Sequence, residues 1–178
     1  MGVKVATRGQ RYVQKMRAEL EELESMGVRT AGNAFSAVLF AKGKPGPAEQ
    51  AGEALLSGAD GKALRAALNK LGYAPEDWAA IDTSSSPELL RRAVAALDSS
   101  TLVACDDEAA AVIRDAYAEN LCELADFEDA LLSPGRVVHV AGMRVLNLGG
   151  FEAALASSKQ KQVVWSYLKR IPPLGEPY

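Results

Sequence analysis

Cysteine and histidine are nearly missing from this chain, with two cysteines and one histidine in 178 residues. Cys105 and Cys122 are not in CxxC spacing, so they are expected as reduced core thiols rather than a disulfide framework. His139 has no Cys/His cluster around it, which leaves too few soft ligands for a zinc or iron–sulfur site, and no metal is implied. Long apolar runs are lacking too. No stretch approaches membrane length, and the start of the chain (Lys4, Arg8, Arg11, then a helical pattern) has no apolar signal-peptide core, so no membrane association and a cytoplasmic location are expected. A positive surplus is also absent: 20 Lys and Arg against 23 Asp and Glu give a net charge of −3. Any nucleic-acid surface must therefore be a local patch, because the molecule as a whole does not attract phosphate.

The residues that are present suit a folded domain, with 48% hydrophobic and 24% charged side chains. From Gln10 to Met26, Tyr12, Val13, Met16, Leu20 and Leu23 recur at helical spacing. Phe35 to Phe40 is an apolar run of strand length, apolar on both sides as in a covered parallel strand. Between Ala41 and Asp60, six glycines and prolines (Gly43, Pro45, Gly46, Pro47, Gly52 and Gly58) predict a long ordered loop with neither helix nor strand. A helix follows from Gly61 to Leu71, closed by Gly72. Trp78–Asp82 and Thr101–Cys105 read as two more strands. Helices start at Ser86-Pro87-Glu88 and at Asp106 or Asp107. Val137–Val140 and Val145-Leu146 flank Ala141-Gly142 as a hairpin or a bent strand, and a single helix is expected from Phe151 to Arg170. Such alternation implies a mostly parallel sheet with helices on both faces, and ligands in sheets of this kind bind at the strands' carboxyl ends. The loop 41–60, the turn after Asp82, the Asp106-Asp107 corner and the Gly149-Gly150 turn are accordingly the candidate site. Gly43-Lys44-Pro45-Gly46 matches neither GxGxxG nor the Walker spacing, which argues against a nucleoside triphosphate site.

Lys42-Gly43-Lys44-Pro45-Gly46-Pro47-Ala48-Glu49, followed by Gly58, Gly61 and Leu64, resembles the first motif of the uracil-DNA glycosylase superfamily, closest to its bacterial and archaeal family-4-like branch. The interval from Gly46 to Gly58 and the step to Gly61 carry the likeness. Asp77–Asp82, Leu102–Asp106, Glu108–Ala110 and Gly149-Gly150-Phe151 with Trp165 and Leu168 follow in the same order. The resemblance spans about residues 35–171 and implies one domain over 1–178, with 1–34 as an N-terminal helical extension and 172–178 as a tail. The implied fold is a three-layer α/β/α sandwich around a four-stranded, mainly parallel sheet.

A glycosylase of this type flips a base from the duplex and hydrolyses its N-glycosidic bond, so its site must serve a cationic sugar and an anionic leaving base. The resemblance implies an acid, a stacking aromatic, an asparagine and a histidine at the positions held here by Gly43, Leu56, Asp82 and Gly150. All four differ. Losing a single oxyanion donor typically costs about a hundred- to thousand-fold in rate, so uracil excision is not expected. Neither cysteine stands in the spacing of that branch's iron–sulfur ligands, and no cofactor is implied.

The expected pocket comprises Lys42, Gly43, Lys44, Pro45, Gly46, Leu56, Asp82, Gly149, Gly150 and Phe151. Lys42 and Lys44 are candidates for a phosphate or simply solvated charges, and Asp82 and Glu49 are the only candidate acids. Both acids also suit the blander role of loop caps. His139 is expected to be structural. The leading expectation is a divergent, non-excising member that binds DNA, a base or a nucleotide. One alternative is an active glycosylase or nucleoside hydrolase of altered specificity, a hydrolase of N-glycosidic bonds using Glu49 or Asp82. Another is an interaction scaffold that uses the acidic stretch from Asp106 to Asp129, in which nine acids face Arg114 alone.

Overall fold

The computed structural model describes residues 6–174. It begins with helix α1 (Arg8–Ser25), whose start is locked by a reciprocal pair: Gln10 N–H donates to Thr7 Oγ1, and Thr7 N–H donates to the Gln10 side chain at 2.9 Å. Strand β1 (Thr30–Gly32) follows, then β2 (Val38–Lys42), the four-residue helix α2 (Pro47–Gln50), α3 (Ala59–Lys70) and β3 (Ala79–Asp82). Next come α4 (Pro87–Leu97), β4 (Thr101–Ala104), α5 (Asp107–Ala116) and two single turns, α6 (Ala118–Leu121) and α7 (Phe127–Ala130). The hairpin β5 (Val137–Val140) and β6 (Met143–Asn147) precedes α8 (Phe151–Ala154) and α9 (Ser158–Leu168).

The sheet has six strands in the order β1-β3-β2-β4-β6-β5. This corrects the four-stranded expectation. The inner four, β3-β2-β4-β6, run parallel, while β1 and β5 add antiparallel edges. Thr30–Gly32 is too short to carry a readable period, so β1 has no signature of its own in the sequence. Within the stretch before residue 35, β1 pairs with β3 and α1 packs on α4. The β5–β6 pair resolves as a hairpin turning at Ala141 and Gly142, both with positive φ, the two-residue turn whose twist matches the flanking strands.

Every residue of β2 is buried, which is why its run reads apolar on both sides. Val38 and Phe40 join Ala80, Val103 and Leu146 in a core beneath α3, α8 and α9. Leu39 and Ala41 join Ile81, Leu102 and Ala104 beneath α1, α4 and α5. Phe35 stays outside the strand and exposed. The helix expected from Phe151 to Arg170 is two pieces, because Ser157 caps a fresh helix by accepting from Gln160 N–H. The loop 41–60 likewise contains α2, with Pro47 in its first turn, a position where a missing N–H costs nothing. Among the described residues no helix is long and apolar enough to cross a membrane.

Candidate functional site

The chain leaves β2 toward β3 on one side and later returns to β4 on the other. The connections after β2 and β4 therefore diverge, and in sheets of this kind the crevice they leave at the carboxyl ends is where ligands bind. A cleft of about 440 Å³ lies there, lined by Lys42 and Lys44 after β2, Asp60 on α3, Cys105 to Glu108 after β4, and Gly149 to Ala153 after β6.

Its floor is ionic. Lys42, the last residue of β2, is 3% exposed, and its Nζ lies 2.6 Å from Asp60 and 2.7 Å from Glu49, with Glu152 at 3.9 Å. Burial works against the ammonium, but the hydrogen bonds and attraction of Asp60 and Glu49 outweigh it and hold the pKa above its ordinary value. Both Glu49 oxygens are also spoken for by backbone, accepting the N–H groups of Gly46 and Leu56 at 2.6 Å each. The triad thus stitches the glycine-rich loop to the end of β2 and the first turn of α3. Lys42 is not available for a phosphate, because two buried carboxylates already neutralise it.

The cleft wall is built on Asp106. Its carboxylate caps α5 by accepting Ala109 N–H at 2.8 Å and also accepts Gly43 N–H at 3.1 Å and Lys44 N–H at 3.0 Å. This close approach explains why position 43 is glycine: a Cβ there would overlap the Ala109 nitrogen and lie 2.7 Å from the Glu108 Cβ. Gly43→Asp, which restores the acid implied by the resemblance, should therefore destabilise the fold by about 3 kcal/mol or more, at the upper end of overpacking. Chemical denaturation measures this, and a loss under about 1 kcal/mol would contradict the packing described.

No protein-family model matches the chain, and no curated protein does.

The expected site residues fall into two groups. Lys42, Lys44, Gly149, Gly150 and Phe151 line the cleft. Gly43 touches its Asp106 wall, and Gly46 N–H is held by Glu49 beside it. Pro45 contributes its carbonyl to the Gln50 side chain. Leu56 does not reach the cleft: it is buried with φ near +59°, its carbonyl pressed against Gly61 and bonded by Arg65 at 2.8 Å. Asp82 is outside the lining, and its carboxylate accepts Ser84 N–H at 2.8 Å. Glu49 and Asp82 both hold loops together, the structural role that sequence reading set beside the catalytic one.

His139 sits exposed on the edge strand β5, opposite Arg144, far from the carboxyl-end loops in the chain's topology. Cys105 is buried at the cleft, and burial raises its thiol pKa steeply, so it is an inert thiol; Cys122, expected in the core, is exposed. Sequence reading missed Asp60, Glu108 and Glu152 as parts of the site. Asp60 carried one signal, an acid in the first turn of a helix that follows a buried lysine's loop. Among the described residues no group of three or more His, Cys, Asp or Glu side chains could hold a metal ion.

The cleft as a whole is acidic. Asp60, Asp106, Asp107, Glu108 and Glu152 line it against Lys42, already neutralised, and the exposed Lys44. Asp107 and Glu108 project from the start of α5, where the helix dipole favours their negative charge, and both are exposed. No side chain in the lining is both a free nucleophile and beside a base.

Proposed function

We propose that the chain is a divergent glycosylase-type domain that has exchanged uracil excision for the binding of an uncharged or cationic, amine-bearing ring the size of a nucleobase. One observation carries this reading: the switch-point cleft is walled by carboxylates, while its buried lysine is already neutralised. Carboxylates accept hydrogen bonds from exocyclic amines and ring N–H groups, which suits amino-substituted bases such as cytosine and adenine over uracil's carbonyl edge. The same walls repel phosphate, so base recognition is favoured over docking of a nucleic-acid backbone. The motif spacing from Gly46 to Gly61 and the parallel order β3-β2-β4-β6 support the ancestry.

Purified protein incubated with single- and double-stranded uracil-containing DNA is expected to release no uracil above the protein-free background. Release at enzyme-like rates that falls in Glu49→Gln or Asp82→Asn would overturn the reading in favour of an active hydrolase.

A further inference from the structure

Beyond its buried Asp60, α3 carries only positive charge, and so does the stretch 158–170 that contains α9. Lys62, Arg65, Lys70, Lys159, Lys161, Lys169 and Arg170 lie between residues 61 and 71 and between 158 and 170, where no acid occurs, in a chain whose net charge is −3. None of the five lysines takes part in an ion pair among the described residues. Between the two helices runs an apolar groove of about 310 Å³, floored by Ala67, Phe151, Leu155, Val164 and Trp165 and edged by Lys70 and Lys161. A floor part aliphatic and part aromatic, with ammonium groups at its lip, suits an apolar side chain flanked by carboxylates.

The same molecule presents that complement elsewhere. On α7, Phe127 is 72% exposed, and Leu131, four residues on and hence on the same side of the turn, is 42% exposed. The chain on either side of Phe127 is acidic: Glu119, Glu123, Asp126 and Glu128 are exposed, and Asp129 is half-buried. Arg136 pairs with Asp126 and Asp129 at 2.7 Å each, but Glu119, Glu123 and Glu128 have no cationic partner among the described residues. Phe127 and Leu131 contribute nothing to the groove of their own copy.

We propose that the acidic Phe127–Leu131 knob of one copy seats in the basic α3–α9 groove of the next, so that the chain associates head to tail. Knob and groove are different surfaces, so the contact is heterologous and each added copy leaves one of each unoccupied, giving a ring or a growing chain rather than a closed two-fold dimer. Phe127 fills the groove, and carboxylates of the α7 segment meet Lys70 and Lys161.

Sedimentation velocity from micromolar to millimolar concentration tests this. The weight-average mass should rise past that of two chains at low salt and fall back at high salt. Phe127→Asp alone and Lys70→Glu/Lys161→Glu alone should each remain single chains; all three positions are on the surface, and circular dichroism checks that the variants fold. Mixed one to one, they should form a complex that stops at two chains, because only one intact knob and one intact groove remain. A wild type that stays single at all concentrations overturns the proposal, as does association that survives either variant. A single-chain wild type whose lysine face instead captures an oligonucleotide would assign that face to nucleic acid.

Discussion

Lys42→Met is expected to destabilise the fold by about 3–5 kcal/mol, the usual result of removing one partner from a buried ionic group. The reason is specific: the ammonium is the only cation between Glu49 and Asp60, which are 3% and 7% exposed and would be left facing each other without it. Two carboxylates confined to one site resist joint ionisation, so one should take up a proton more readily. The loss should therefore shrink as pH falls from 8 toward 5, whereas a simple packing defect would be insensitive to pH. In the wild type the dependence lies at the other end of the scale. Since the folded state raises the Lys42 pKa above 10.5, its contribution is complete below about pH 10.5 and disappears as pH rises through the higher folded value. Urea unfolding with an unchanged m-value measures all of this; a loss below about 1 kcal/mol, or one that does not vary with pH, would contradict the triad.

Asp106→Ala should cost about 3 kcal/mol, because one carboxylate serves three backbone donors. Loss of the Ala109 bond uncaps α5, and loss of the Gly43 and Lys44 bonds frees the loop after β2 from the helix that faces it. Asp106→Asn keeps one acceptor oxygen and should lose less than half as much. Amide hydrogen exchange separates these effects from a general loss of stability: Gly43 and Lys44 should lose protection well before the central strands do. Equal loss throughout the sheet would mean that Asp106 is only a helix cap.

The parts of this molecule legible in its sequence are those governed by local rules. Ser86-Pro87 and Asp106 announce helix starts through capping, and the run ending in Phe40 announces a strand covered on both faces. Thr30–Gly32 could not be read, since its only reason to be extended is the neighbouring β3. The break at Leu155–Ser157 does not show in the apolar pattern, because Ala154, Trp165 and Leu168 keep one helical phase across it, although Ser157 is a competent cap. At the site, three of the four candidate loops meet around one cleft, while the turn after Asp82 does not line it. Which loops become neighbours depends on strand order, a property of pairing between distant segments. Burial made the same difference for Lys42. As a letter among glycines and prolines it suggests a solvated or phosphate-holding lysine; as the terminal residue of a central strand it is enclosed by Glu49 and Asp60, which come from 7 and 18 residues further on.

A titration of isotope-labelled protein with cytosine and, separately, with inorganic phosphate, followed by amide chemical shifts, decides whether the carboxylate-walled cleft takes a base. Saturable shifts are expected with cytosine at Asp107, Glu108 and Gly149 to Phe151, and none with phosphate at those amides. Saturable phosphate binding at the same residues, with cytosine leaving them unmoved, would contradict base binding there.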